Sequence, residues 1–152
     1  MGKIKLGKCP LCNNINGTLA HIVNFCPTAL LQGRFTWRHN SVLNYLTSEA
    51  IVNSTSNIAI YADIPGYSIN GTTIPADVLV TNGEGSKPDL VLLNRTDKKI
   101  AVMELTCPLP QNVVKAHDKK TLKYTQMKID LIDKGYKTSL VPFEVISNGH
   151  IK

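Results

Sequence analysis

A mixed α/β fold, preceded by a short module rich in cysteine, is what this 152-residue sequence predicts. Three observations carry that expectation. Cys9, Cys12, His21 and Cys26 stand in a C-x2-C-x8-H-x4-C spacing within the first 33 residues. Two stretches, Thr36 to about Ile51 and Asn112 to about Lys134, place apolar residues at helical intervals. Between and after them lie short apolar runs bounded by Asn, Gly and Pro, which read as strands. The order is helix, three or four strands, helix, strand. At ~100–200 residues per domain, a module over 1–33 and one α/β domain over 34–152 account for the length, and two large lobes are excluded.

The module comes first in the chain. Cys9-Pro10-Leu11-Cys12 presents two sulfurs from one tight turn, and His21 and Cys26 can complete a tetrahedron from a helical turn. Asn13, Asn14, Asn16 and Gly17 supply turn chemistry between the pairs, as a unit too small for its own core requires. The pattern is that of a CCHC knuckle holding structural zinc. A redox reading of Cys-x-x-Cys needs a surrounding βαβ unit and leaves His21 and Cys26 without a task. A disulfide reading needs an oxidising compartment, and Met1 to Leu6 is basic with no apolar stretch after it, so no secretory signal is expected.

Gly33 ends the module, and Thr36 can cap a helix whose apolar face combines Trp37, Val42, Leu43, Leu46 and Ala50. The Asn/Ser/Thr cluster from Asn53 to Asn57 breaks it, and Ile58 to Tyr61 reads as a strand leading to Pro65-Gly66. A loop-rich stretch follows, with a short strand expected at Val78 to Thr81. Leu90 to Leu93 and Lys99 to Thr106, joined by Asn94 to Lys98, should form a hairpin. Pro108 and Pro110 stop it, and Asn112 can cap the second helix, which Gly135 ends. That helix is expected to bury Val113, Val114, Leu122, Met127, Ile129, Leu131 and Ile132. Ser139 to Ile146 reads as a last strand, with Pro142 pointing to an edge. Cys107, at a strand end, is expected to be a buried free thiol.

Hydrophobic residues make up 43% and charged residues 18%, enough to bury a core, so a disordered or fibrous chain is excluded. The longest apolar runs fall far short of the ~20 residues of a membrane span, and no membrane partner is expected. Net charge is +6, unevenly spread: residues 1–40 carry five basic side chains and no acid, residues 41–110 four and seven, and residues 111–152 eight and four. Basic ends suit a polyanion, and an acidic middle suits a divalent cation. In that middle, Asp89 and Glu104 lie 15 positions apart on the two arms of the expected hairpin. Glu104 is set among Ile100 to Met103 and Leu105, where an unpaired charge is costly, so it needs a cation or a helix lysine as partner. Asp89 read alone can equally cap a turn.

Taken in order, the motifs are the CCHC set, Arg38-His39-Asn40, Lys87-Pro88-Asp89, a strand ending Glu104-Leu105-Thr106, and a helix with Ala116-His117 and Lys120-Thr121-Leu122-Lys123-Tyr124. This series covers nearly the whole chain. It resembles the PD-(D/E)xK restriction-like nuclease superfamily, and more specifically the C-terminal part of non-LTR retrotransposon proteins that carry a restriction-like endonuclease. The resemblance implies a restriction-endonuclease-like core and a Mg²⁺- or Mn²⁺-dependent endodeoxyribonuclease that nicks a target strand to prime reverse transcription. Asp89 and Glu104, with the Leu105 carbonyl, would hold the cation. Lys120 would orient water or steady the phosphate, with Tyr124 assisting. Arg34, Arg38, His39, Lys115, Lys119 and Lys123 would grip DNA, or alternatively RNA, mainly through phosphate. An intracellular, nuclear location and action beside a reverse transcriptase are expected with it.

Two departures stand out. Thr106 occupies the place of the superfamily's usual lysine, so the charge would come from the following helix, with a solvated Lys120 as the plain alternative. No polymerase is present either, because Tyr61-Ala62-Asp63-Ile64 lacks the second aspartate of a polymerase box. The competing function is a catalytically inactive zinc-knuckle module that binds nucleic acid, from a truncated element. Retention of both Asp89 and Glu104 favours activity. A cysteine hydrolase built on Cys107 and His117 finds no oxyanion loop.

Overall fold

A computed structural model describes residues 7–14, 17–78, 87–108 and 112–145. A π-helical turn, His21–Phe25, leads to a short helix α1, Pro27–Leu31, and then to the long helix α2, Arg34–Asn53. Strands β1 (Ile58–Ala62), β2 (Leu90–Asn94) and β3 (Lys99–Thr106) follow, then helix α3 (Val113–Asp133) and strand β4 (Lys137–Glu144). The four strands form one sheet in the order β1-β2-β3-β4. The first three are antiparallel, and β4 pairs parallel to β3 through the α3 crossover. Among the described residues the chain is thus mixed α/β, with a Cys/His cluster ahead of the sheet.

Side chains alternate across the pleat, so the sheet is sandwiched between its two long helices. Tyr61, Val91, Leu93, Ile100 and Val102 pack against Tyr124, Met127 and Leu131 of α3. Ile60, Ala62, Leu90 and Leu105 pack on the other side against Leu43, with Val42, Leu46 and Ala50 of α2 beside them. Local chemistry sets the boundaries. Gly33 adopts a left-handed φ of 68° between α1 and α2. Asn94 closes the hairpin by accepting from the Asp97 amide at 2.9 Å while its own amide donates to Asp97 at 3.1 Å. Gly135, at φ 84°, ends α3: its amide reaches the Ile132 carbonyl at 2.8 Å and the Tyr136 amide reaches the Leu131 carbonyl at 3.0 Å, so the last carbonyls are satisfied.

Several expectations need correction. Of the face expected on α3, Val113, Met127 and Leu131 are buried, but Val114, Leu122, Ile129 and Ile132 are exposed, Leu122 by 77%. The buried stripe instead runs through Val113, Tyr124, Met127 and Leu131, because those positions recur on one side of a 3.6-residue helix while the other four lie around its far side. Trp37 likewise projects into solvent, since nine residues separate it from Leu46 and place it half a turn away from the packed face of α2. Asn112 makes no side-chain capping bond to α3. Cys107 is half-buried rather than buried. Val78 is buried in a turn, not a strand, and residues 79–81 of the expected short strand lie outside the described residues, as do Pro110 and Ile146. Pro142 does lie on an edge strand, beside Glu104.

Candidate functional site

Two clusters of side chains carry chemistry, one in the N-terminal module and one at the end of the sheet. In the module, the Cys9 amide donates to the Asn14 carbonyl at 2.7 Å and the Asn13 amide to the Cys9 carbonyl at 2.9 Å, with Asn13 at φ 58°. This tight turn returns Cys12 to the side of Cys9. Gly17 then crosses the turn so closely that a Cβ there would lie 2.6 Å from the Gly7 carbonyl oxygen and 2.8 Å from the Cys9 nitrogen. His21 opens the π-helical turn and Cys26 ends it in an extended conformation, which brings both to the same place.

The four ligand atoms lie within 4.8 Å of one another, and among the described residues no other group of three or more Cys, His, Asp or Glu ligand atoms converges in this way. Cys9 Sγ and Cys26 Sγ are 3.9 Å apart, and Cys12 Sγ is 3.2 Å from His21 Nε2. Zinc–sulfur bonds of about 2.3 Å set the sulfur–sulfur edge of a tetrahedron at about 3.8 Å, so the observed separation suits a shared ion. A disulfide needs about 2.05 Å, and all four cysteines are free. Burial pushes the Cys9 thiol up, but the Cys12 and Leu11 amides and the neighbouring thiols bring it down to about 6, whereas burial and the other two sulfurs hold Cys12 above its usual value against the pull of the Asn14 amide. The group can therefore hold a metal such as zinc.

At the other cluster, the hairpin register places Asp89 one step beyond the Leu90–Met103 pair, opposite Glu104, and Asp63 one step beyond the Ala62–Leu90 pair. Three carboxylates thus end three adjacent strands. Glu104 is only 3% exposed. Its Oε2 accepts from the Tyr124 hydroxyl at 2.7 Å, its Oε1 accepts from the Lys120 ammonium, and the Lys123 ammonium lies 3.6 Å away. Lys120 and Tyr124 stand one turn apart on the inner side of α3, which is why one carboxylate receives both. Asp89 Oδ2 accepts from the Leu105 amide at 2.7 Å and lies 3.4 Å from His39 Nε2 of α2. The carboxylate of Asp89 raises the pKa of His39 against the effect of burial, with Asn40 adding to the rise. Burial, then the charges of Glu104, Asp89 and Asp63, push the Tyr124 hydroxyl well above its ordinary range, so it remains a donor.

The structure therefore brings Lys120, Tyr124 and Lys123 together on Glu104 on the α3 side of the sheet, while Asp89, next to it in register, meets the Leu105 amide and His39 of α2. The other basic residues go elsewhere. Arg38 turns inward: its Nη1 donates to the Val23 carbonyl at 3.1 Å, and its guanidinium lies 5.7 Å from the Phe35 ring centroid. Arg34 is exposed and bonds Gln32 at 2.8 Å, while Lys115 and Lys119 are exposed on α3. Two participants carried no signal by themselves in the sequence. Asp63 forms an ion pair with Lys87 beside the site. Glu144, 3% exposed on β4, accepts from His117 Nδ1 across 3.1 Å. Only the register Thr106–Glu144 shows that this second buried acid lies one strand from the Glu104 strand.

Asp89 and Glu104 offer two hard oxygen ligands of the type that magnesium and manganese take, at the end of a sheet where burial makes a charge demand a partner. No family model, curated protein or solved structure matches this chain.

Proposed function

We propose that this chain is a DNA-nicking module with a restriction-endonuclease-like core, of the kind found in non-LTR retrotransposon proteins, and that the zinc-type cluster stabilises its N-terminal part. The observation that supports the reading is the meeting of Lys120 and Tyr124 on the buried Glu104 carboxylate, with Asp89 next to Glu104 in the hairpin register. Asp89 and Glu104, with the Leu105 carbonyl, would hold Mg²⁺ or Mn²⁺. Bound there, the cation would supply charge neutralisation at the scissile phosphate and acidify a water ligand.

The protein's own groups do the rest of the work. The Leu105 amide and His39 fix the Asp89 carboxylate. Tyr124, kept protonated, orients Glu104 by its hydroxyl. Lys120 keeps a positive charge at the same carboxylate, where it can meet the phosphate oxygens of a bound strand and stabilise negative charge that develops there. Lys115 and Lys119, exposed on α3, would add phosphate contacts whose strength falls with salt.

A second reading has an observation of its own. Glu104 is already met by two ammonium groups and a hydroxyl, and Asp89 by an amide and an imidazole, so the acidic row needs no cation to be buried. On that reading the chain binds nucleic acid without cutting it. Conversion of supercoiled plasmid to nicked circle, with and without Mg²⁺ or Mn²⁺, separates the two. Activity that requires the cation and disappears in Asp89→Ala and in Glu104→Ala, with DNA binding retained, is the expected result. Binding without any cation-dependent nicking would leave the inactive module.

A further inference from the structure

Away from the acidic row, the junction between the metal module and α2 forms a cleft of about 370 Å³ lined by Ile22, Val23, Arg34, Phe35, Trp37 and Arg38. Its volume lies within the range of ligand sites. Its composition is unusual for a packing defect. Trp37 is 72% exposed and offers an indole to solvent. The Arg38 guanidinium lies near the Phe35 ring, and its Nε is buried with no hydrogen-bond partner among the described residues. The cleft also adjoins the N-terminus of the 20-residue helix α2, whose first turn has no acidic residue and no side-chain cap.

We propose that this cleft stacks an unpaired base of single-stranded DNA against Trp37, with the neighbouring phosphate held by Arg34 and the N-terminal turn of α2. Charge selects the class of ligand: residues 1–40 carry five basic side chains and no acid, so the cleft lies in a wholly basic part of the chain. The exposed indole face of Trp37 selects the part of the ligand that enters, because a nucleobase is the flat π surface that a polyanion brings with it. An unpaired base is favoured by the same argument: inside a duplex both faces of a base are covered by its neighbours, and only the end pairs leave one face free. A helix N-terminus with an arginine at its first position is suited to the phosphate that follows. The choice of DNA over RNA rests on the proposed nicking function. The cleft itself does not.

Trp37 is the chain's single tryptophan, so its fluorescence reports this cleft alone. Titrating the full chain, zinc present and Mg²⁺ and Mn²⁺ omitted, with a short oligothymidylate is expected to give saturable quenching. A duplex of equal length should quench less. Trp37→Ala should weaken binding of a labelled oligothymidylate on the order of 10- to 100-fold, Trp37→Phe should restore most of it, and Arg34→Glu should weaken it with the indole intact. Because no cleavage is involved, a chain that fails to nick plasmid leaves this test unaffected. Equal quenching by duplex, unchanged affinity in Trp37→Ala, or a response to oligouridylate without one to oligothymidylate would each overturn the proposal. So would a Trp37 emission that shifts to the blue with chain concentration and ignores DNA, since the cleft would then be covered by another copy of the chain.

Discussion

Replacing Tyr124 by phenylalanine isolates one interaction at the acidic row. The ring is 1% exposed and packs with Met127 and Leu131 against the sheet, and Phe keeps that packing. What disappears is the hydroxyl, which donates at 2.7 Å to a carboxylate that water hardly reaches, with a second and longer contact of 3.3 Å to the Lys87 carbonyl. Hydrogen bonds to charged groups are worth about 1.5–3 kcal/mol, and the longer contact adds little. The variant is therefore expected to be less stable by about 1.5–3 kcal/mol at neutral pH. With urea slopes of about 1–3 kcal/mol per molar, the unfolding midpoint should fall on the order of 1 M, zinc being held in excess for both proteins. Lys123→Met provides the internal comparison. Its ammonium is 3.6 Å from Glu104 and over a third exposed, so solvent screening limits its loss to about 0–1 kcal/mol. If Tyr124→Phe costs less than about 0.5 kcal/mol, or less than Lys123→Met, then the two lysines alone compensate Glu104 and the argument from burial is wrong.

The remaining predictions concern the module and His39. One Zn²⁺ per chain is expected by metal analysis, lost in the Cys9→Ser, Cys12→Ser double variant; Gly17→Ala, whose Cβ would strike backbone at 2.6 Å, should weaken zinc retention against a competing chelator although every ligand remains. His39 has a folded pKa above its ordinary 6.5 because of Asp89, so its pairing stabilises fully below about pH 6.5 and fades as pH rises through the folded value. His39→Asn should accordingly cost more stability at pH 5.5 than at pH 8.5 by urea titration, and an equal cost at both would contradict the pairing.

Legibility from sequence followed how local each interaction is. The hairpin between β2 and β3 was readable because two apolar runs flank a five-residue connection that Asn94 and Asp97 close by themselves. Convergence of Cys9, Cys12, His21 and Cys26 was readable because each pair is set by one short turn and few residues separate the two turns. Lys120 and Tyr124 could be placed on one helix face, but which face packs inward could not be. On α3, four apolar residues lie on the solvent side while a lysine, a tyrosine and a histidine reach the sheet, so counting apolar positions pointed the wrong way. Asp63 and Glu144 were invisible for a different reason. Each joins the row only through pairing of strands far apart in the chain, and an isolated acid at a strand end looks like a solvated one.

The parallel pairing of β4 with β3 has a consequence for the order in which charge is desolvated during folding. β2 and β3 are joined by four residues and can pair early, whereas β4 must wait for the whole α3 connection to close. In the hairpin alone, the α3 side of β3 is open, so the Glu104 carboxylate stays hydrated there. The helix that removes its water is the one that carries Lys120 and Tyr124. Burial of the charge and arrival of its partners are therefore a single event, and the chain has no stage at which a dry, unpaired glutamate must exist.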